Sequence, residues 1–211
     1  MCAEYLDRGT RSNATVGPRL AVVGDSVQVQ TRRAGLADPV LHWDFATHCG
    51  ENLSSVVDAG RLQDAVGTHP DALVVALGTN SFNVAKVRVK APTATDSGER
   101  TKKDAQGHNV IAGQDSAESF AKGVDTIMAM VPATTTVYWV GMYLDDKQWA
   151  GVHWRANNAA MKAAVAKHPN AKFLDYAAYA QQAKIPYMND GSHPTPKGMG
   201  IRAHWIVSQL G

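Results

Sequence analysis

The sequence predicts an α/β fold in which helices cover both faces of a parallel sheet, and three observations carry that expectation. Short apolar runs rich in Val and Leu alternate with longer amphipathic segments along most of the chain. The run Asp71-Ala72-Leu73-Val74-Val75-Ala76-Leu77 shows no polar alternation, as a strand buried on both faces requires. The chain has 211 residues, 45% hydrophobic and 19% charged, which suits a single domain (1–211) around one core.

Residues 1 to 18 are polar, with Gly9, Asn13, Gly17 and Pro18, and read as an irregular lead-in. The first strand falls at about 19–23 and breaks at Gly24. Val27-Gln28-Val29-Gln30 then alternates like a strand, but Thr31 to Gly35 suits a helix end, so the reading is a loop followed by a helix. Val40 to Ala46 is the second strand. Leu53, Val56, Val57, Leu62, Ala65 and Val66 recur at helical spacing and stop at Gly67 and Pro70. Asp71 to Leu77 is the third strand.

Between residues 83 and 114 the rhythm breaks. Ala85 to Lys90 alternates with period two, residues 92–107 are mainly polar, and Val110-Ile111-Ala112 resumes. This segment reads as an inserted hairpin or flap, either a solvated excursion or a lid. Asp115 to Val131 follows as a helix, with a capping-box pattern at Asp115 and Glu118 and an apolar face from Phe120 to Val131. Thr136 to Gly141 is a fourth strand, Trp154 to Lys167 a helix and Lys172 to Asp175 a fifth strand. A last helix starts near Pro196, with Met199, Ala203, Ile206, Val207 and Leu210 inward. Strands alternating with helices imply right-handed βαβ units. The expected architecture is a three-layer α/β/α sandwich with a flavodoxin-like five-stranded parallel sheet, order 2-1-3-4-5.

Composition narrows the function. A net charge of +2 with mixed signs gives no case for a nucleic-acid partner. No apolar run approaches the ~20 residues that span a bilayer. The N-terminus lacks the basic start and apolar centre of a signal peptide. Cys2 and Cys49 are too few for a zinc site, which needs about four ligands; they could pair, with two free thiols the favoured reading. The eight histidines form no metal-binding motif, so neither metal nor cofactor is expected.

Three short segments fall where such a sheet presents side chains to a crevice. Ser26 follows the first strand, where it is either a nucleophile or an ordinary turn and helix-capping hydroxyl. Asp190-Gly191-Ser192-His193-Pro194 precedes the last helix. There Asp190 can hold the Nδ1–H of His193 and leave Nε2 as a base, or the segment is simply a turn. Gly78-Thr79-Asn80 follows the third strand, and Asn80 is either an amide donor to an oxyanion or an Asx-turn residue. The backbone N–H of Ser26 is a second candidate donor.

Gly24-Asp25-Ser26, Gly78-Thr79-Asn80 and Asp190-x-x-His193-Pro194, in this order, resemble the SGNH (GDSL-type) hydrolase family from about Leu20 to Leu210. The resemblance implies a Ser26–His193–Asp190 triad, with an oxyanion hole from the Ser26 N–H, the Asn80 amide and a glycine N–H after the second strand. Gly50 fits that glycine by position and Gly60 is the rival. Val27 stands where the family has Leu, and Ser81 where it often has Asp; neither position is catalytic in the pattern. Asp25 is expected to orient the turn. The function implied is a serine esterase acting on a small-molecule or carbohydrate ester, with a short acyl group such as acetyl favoured. An acyltransferase using the same triad and a non-catalytic binding domain are the alternatives. A mononucleotide or flavin binder is disfavoured, because no glycine-rich phosphate loop follows the first strand.

Overall fold

The computed structural model describes residues 6–11, 18–33, 42–80, 101–103, 109–111, 117–149 and 154–210. At its centre lies β2 (Arg19–Gly24), paired in parallel with β3 (His42–His48) on one side and β4 (Ala72–Ala76) on the other. Beyond β4 come β7 (Thr136–Val140) and β8 (Ala171–Leu174), also parallel. Numbered along the chain, these five strands have the expected order 2-1-3-4-5.

A sixth strand corrects the reading of the N-terminal residues. β1 (Leu6–Arg11) pairs antiparallel with β3, from Leu6 opposite His48 to Arg11 opposite Trp43, and forms the sheet edge. Its sequence, Leu-Asp-Arg-Gly-Thr-Arg, has no apolar alternation. Edge strands carry charge for protection, which removes the pattern that marks an interior strand.

Side chains alternate between the two sheet faces. Leu20, Val22, Val74, Tyr138 and Val140 pack on Ala203 and Ile206 of α8 (Pro196–Ser208) and Ala180 of α7 (Tyr176–Gln182). Ala21, Val23, Leu73, Val75, Val137 and Trp139 face the opposite layer. That layer contains Leu62 of α3 (Arg61–Gly67), Phe120, Val124 and Ile127 of α4 (Ala117–Met128), and Trp154, Met161 and Val165 of α6 (Trp154–Val165). Every residue of β4 is buried, as its unbroken apolar run requires. Each fully buried Val or Leu contributes about 1.5–3 kcal/mol through the area it removes from water.

Three local features differ from the sequence reading. The helix after the first strand needs no intervening loop: α1 (Ser26–Arg33) begins at Ser26 itself. The helical pattern from Leu53 to Val66 is two helices, α2 (Ser55–Asp58) and α3, broken where Gly60 takes a left-handed φ of 73°. Cys49 is disulfide-bonded, which corrects the expectation of two free thiols; the other cysteine, Cys2, lies outside the described residues. In the 83–114 segment, β5 (Thr101–Lys103) pairs antiparallel with β6 (Asn109–Ile111). Residues 81–100 and Asp115 lie outside the described residues. A short α5 (Asp146–Trp149) follows β7.

Candidate active site

Register brings the candidate residues to one rim. Gly24 of β2 lies opposite Thr47 of β3 and Ala76 of β4, so three adjacent strands end together. Ser26, Gly50 and Asn80 each follow within four residues. The turn from β2 into α1 is tight. The Asp25 N–H donates to the Ala76 carbonyl at 3.2 Å, and the Asp25 carboxylate caps α1 by accepting the Val27 N–H at 3.0 Å. A Cβ on Gly24 would come within 2.5 Å of the Gln28 side chain, so the turn requires glycine. Asp25 thus has the turn-orienting place expected of it. Burial pushes its carboxyl up from the usual range, opposed by the Val27 N–H, the charges of Arg202 and His193, and the Thr79 side chain.

Ser26 Oγ lies 2.8 Å from His193 Nε2, and His193 Nδ1 lies 2.8 Å from Asp190 Oδ2. The carboxylate can only accept, so Nδ1 carries the proton and Nε2 is left to receive the serine's. Asp190 Oδ1 accepts the backbone N–H groups of Ser192 and His193 at 2.8 and 2.9 Å, and the Ser192 hydroxyl at 3.2 Å. Burial alone would raise the Asp190 carboxyl. The His193 side chain and N–H, the imidazole's charge and the Ser192 N–H outweigh it and bring it down to about 2. The loop is held from outside as well: Trp149 Nε1 donates to the Asp190 carbonyl at 2.7 Å, and the Asp145 N–H to the Gly191 carbonyl at 2.8 Å.

The residues that follow β3 and β4 are differently made. Asn80 is buried, and among the described residues its Nδ2 has no hydrogen-bond partner. The Ser26 N–H opens α1, where a helix leaves its first donors without intrahelical acceptors and its dipole favours negative charge. Of the two glycines, Gly60 donates its N–H to the Val57 carbonyl at 3.0 Å. Gly50 stands in the turn directly after β3. Its loop is staked by buried Glu51, which accepts from Arg61 Nε and the Ser55 hydroxyl. Asn52 Oδ1 adds bonds from the Ser54 and Ser55 N–H groups at 3.1 and 2.8 Å. A hydroxyl bonded to an imidazole that a carboxylate holds, at the rim where the unpartnered Asn80 amide also follows its strand, has the parts needed for acyl transfer.

Several groups at this rim escaped the sequence reading. Trp149 and Glu51 carry no pattern that separates them from ordinary loop residues. Arg202 does: it sits three after Met199 and four before Ile206, a cation in the middle of an apolar helix face. Among the described residues no cluster of His, Cys, Asp or Glu could hold a metal ion, and no helix is long and apolar enough to cross a membrane.

Comparison with known proteins identifies the class. The family model of the GDSL-like lipase/acylhydrolase family matches residues 8–201, and the chain belongs to that family of serine hydrolases. A comparison with curated proteins finds no match. Among solved structures, the C-terminal catalytic domain of Streptococcus pneumoniae peptidoglycan O-acetyltransferase A is similar at 14% identity and a TM-score of 0.62. The match covers 92% of this chain and 93% of that one. A variant of an acetyl xylan esterase from Geobacillus stearothermophilus is similar at 12% identity and a TM-score of 0.64, covering 94% and 97% of the two chains.

Proposed function

We propose that this protein hydrolyses a carboxylic ester through an acyl-enzyme on Ser26, and that the acyl group is short, such as acetyl on a carbohydrate. The observation that carries the mechanism is the chain of 2.8 Å contacts from Ser26 Oγ to His193 Nε2 and from His193 Nδ1 to Asp190. Ser26 attacks the ester carbonyl while Nε2 takes its proton. Asp190 keeps the imidazole in the required tautomer and stabilises its cation without itself taking the proton. The carbonyl oxygen, now an anion, receives the Ser26 N–H, the Asn80 amide and the Gly50 N–H. His193 returns the proton to the leaving alcohol, and water repeats the sequence to free the acid.

The acyl choice is supported by two similar folds, named as an acetyl xylan esterase and a peptidoglycan O-acetyltransferase. The second also motivates the other reading, transfer of the acyl group to an alcohol in place of water. A chain-length series of p-nitrophenyl esters, with Ser26→Ala as control, tests the first proposal. The highest kcat/KM is expected on acetate, and wild-type turnover by Ser26→Ala would overturn the mechanism. Adding a sugar alcohol and analysing the products separates transfer from hydrolysis.

A further inference from the structure

We propose that Arg202 is a positioning residue that fixes the spacing between Ser26 and His193 by tying α8 to α1; this rests on the triad reading above. One helix begins with the serine and the other shortly after the histidine. α1 begins at Ser26, and α8 begins at Pro196, three residues after His193. Arg202 is buried, and its Nη1 donates to Gln28 Oε1 and to Thr31 Oγ1, both at 2.7 Å. Both acceptors belong to α1, Gln28 only two residues from the serine. The Thr31 hydroxyl donates to the Val27 carbonyl at 2.6 Å, so its free lone pairs face the guanidinium. The Tyr176 ring lies 4.9 Å from the guanidinium carbon and holds the cation from another side.

The choice of residue is informative. Its neighbours on the inner face of α8 are Met199, Ala203 and Ile206, among which an apolar side chain would pack without difficulty. A buried guanidinium is costly by comparison, the more so because its Nε has no hydrogen-bond partner among the described residues. What it supplies that an apolar side chain cannot is the pair of directed bonds from Nη1 to α1. Burial lowers the guanidinium's pKa, opposed by Tyr176, by Asp25, itself the cap of α1, and by Tyr187. One side chain therefore ties the nucleophile's helix to the helix that leads out of the histidine loop. Attack geometry is steep in distance, and a misplacement of about 1 Å costs on the order of a hundredfold in rate.

The test measures kcat per active site, with sites counted by phosphonate labelling so that unfolded protein does not enter. Arg202→Met is expected to lower kcat by roughly ten- to a hundredfold with KM within about twofold. Arg202→Lys keeps the charge but not the fork and should recover only part of the loss. Thr31→Val removes one acceptor at nearly constant shape and should lower kcat severalfold. If Arg202→Met does not fold, Arg202→Lys and Thr31→Val decide: unchanged kcat in both overturns the proposal. A lower melting temperature with wild-type kcat per site also overturns it, since that is the signature of stability alone. Activity retained by Ser26→Ala would instead overturn the triad reading itself.

Discussion

The histidine loop and Asn80, the two parts proposed to serve Ser26, are built on opposite rules. On the histidine side nearly every polar group is engaged: Asp190 Oδ1 and Oδ2 accept from Ser192 and His193, and Trp149 and Asp145 donate to the loop's carbonyls. Asn80 is the reverse: its buried side-chain Nδ2 has no hydrogen-bond partner among the described residues. A base must be oriented before the reaction starts, so its bonds are made in the resting protein. An oxyanion exists only during the reaction, so donors for it must be kept free until then. Removing a group that only holds the histidine loop should therefore cost stability, and removing the Asn80 amide should cost rate.

The largest effect tests what the two parts share. Ser26→Ala and His193→Ala should each lower kcat by about ten-thousandfold or more while circular dichroism stays native, because the members act as a unit. Asn80→Ala sharpens the contrast. It should lower kcat by roughly a hundred- to a thousandfold, with a smaller change in KM. Its unfolding free energy should be unchanged or slightly higher, since deleting an unpartnered buried donor breaks no bond. A large loss of stability with wild-type kcat would make Asn80 a turn residue. Trp149→Phe is the mirror experiment. It keeps a ring, loses the bond to the Asp190 carbonyl and should cost about 0.5–1.5 kcal/mol in denaturant unfolding.

The smallest effect is in pH. The Asp190 carboxyl sits at about 2 in the folded protein against an ordinary 3.8, so the native state holds fewer protons than the unfolded chain between those values. Its contribution is fully present above pH 3.8 and is lost as pH falls towards 2. Comparing unfolding free energies of wild type and Asp190→Asn across that range should show a gap that closes at the acid end. The gap is modest, because the Asp190 side chain is 44% exposed and solvent screens it.

The centre of the parallel sheet was legible because β2, β4 and β7 are buried on both faces, and burial on that scale leaves unbroken runs such as Leu73 to Leu77. The helices were legible where one face is apolar, as in α4. β1 was not, since an edge strand has a single partner and a charged sequence gives it no period to read. The split at Gly60 was hidden because both halves, read alone, keep helical spacing. Ser26, Asn80, Asp190 and His193 stood out through short motifs placed at element ends. Trp149 and Glu51 act through bonds to loops distant in sequence or by burial, and neither leaves a mark along the chain. Arg202 did leave one, a charge on an apolar helix face.

The central place of β2 has a consequence for local opening. Its backbone is bonded on both edges, to β3 and β4, and Leu20 to Val23 are buried. Amides so enclosed exchange with solvent only when the whole domain unfolds. The serine's turn therefore grows out of backbone expected to be among the last to exchange, and deuterium uptake should reach the Leu20–Gly24 amides after it has saturated β1.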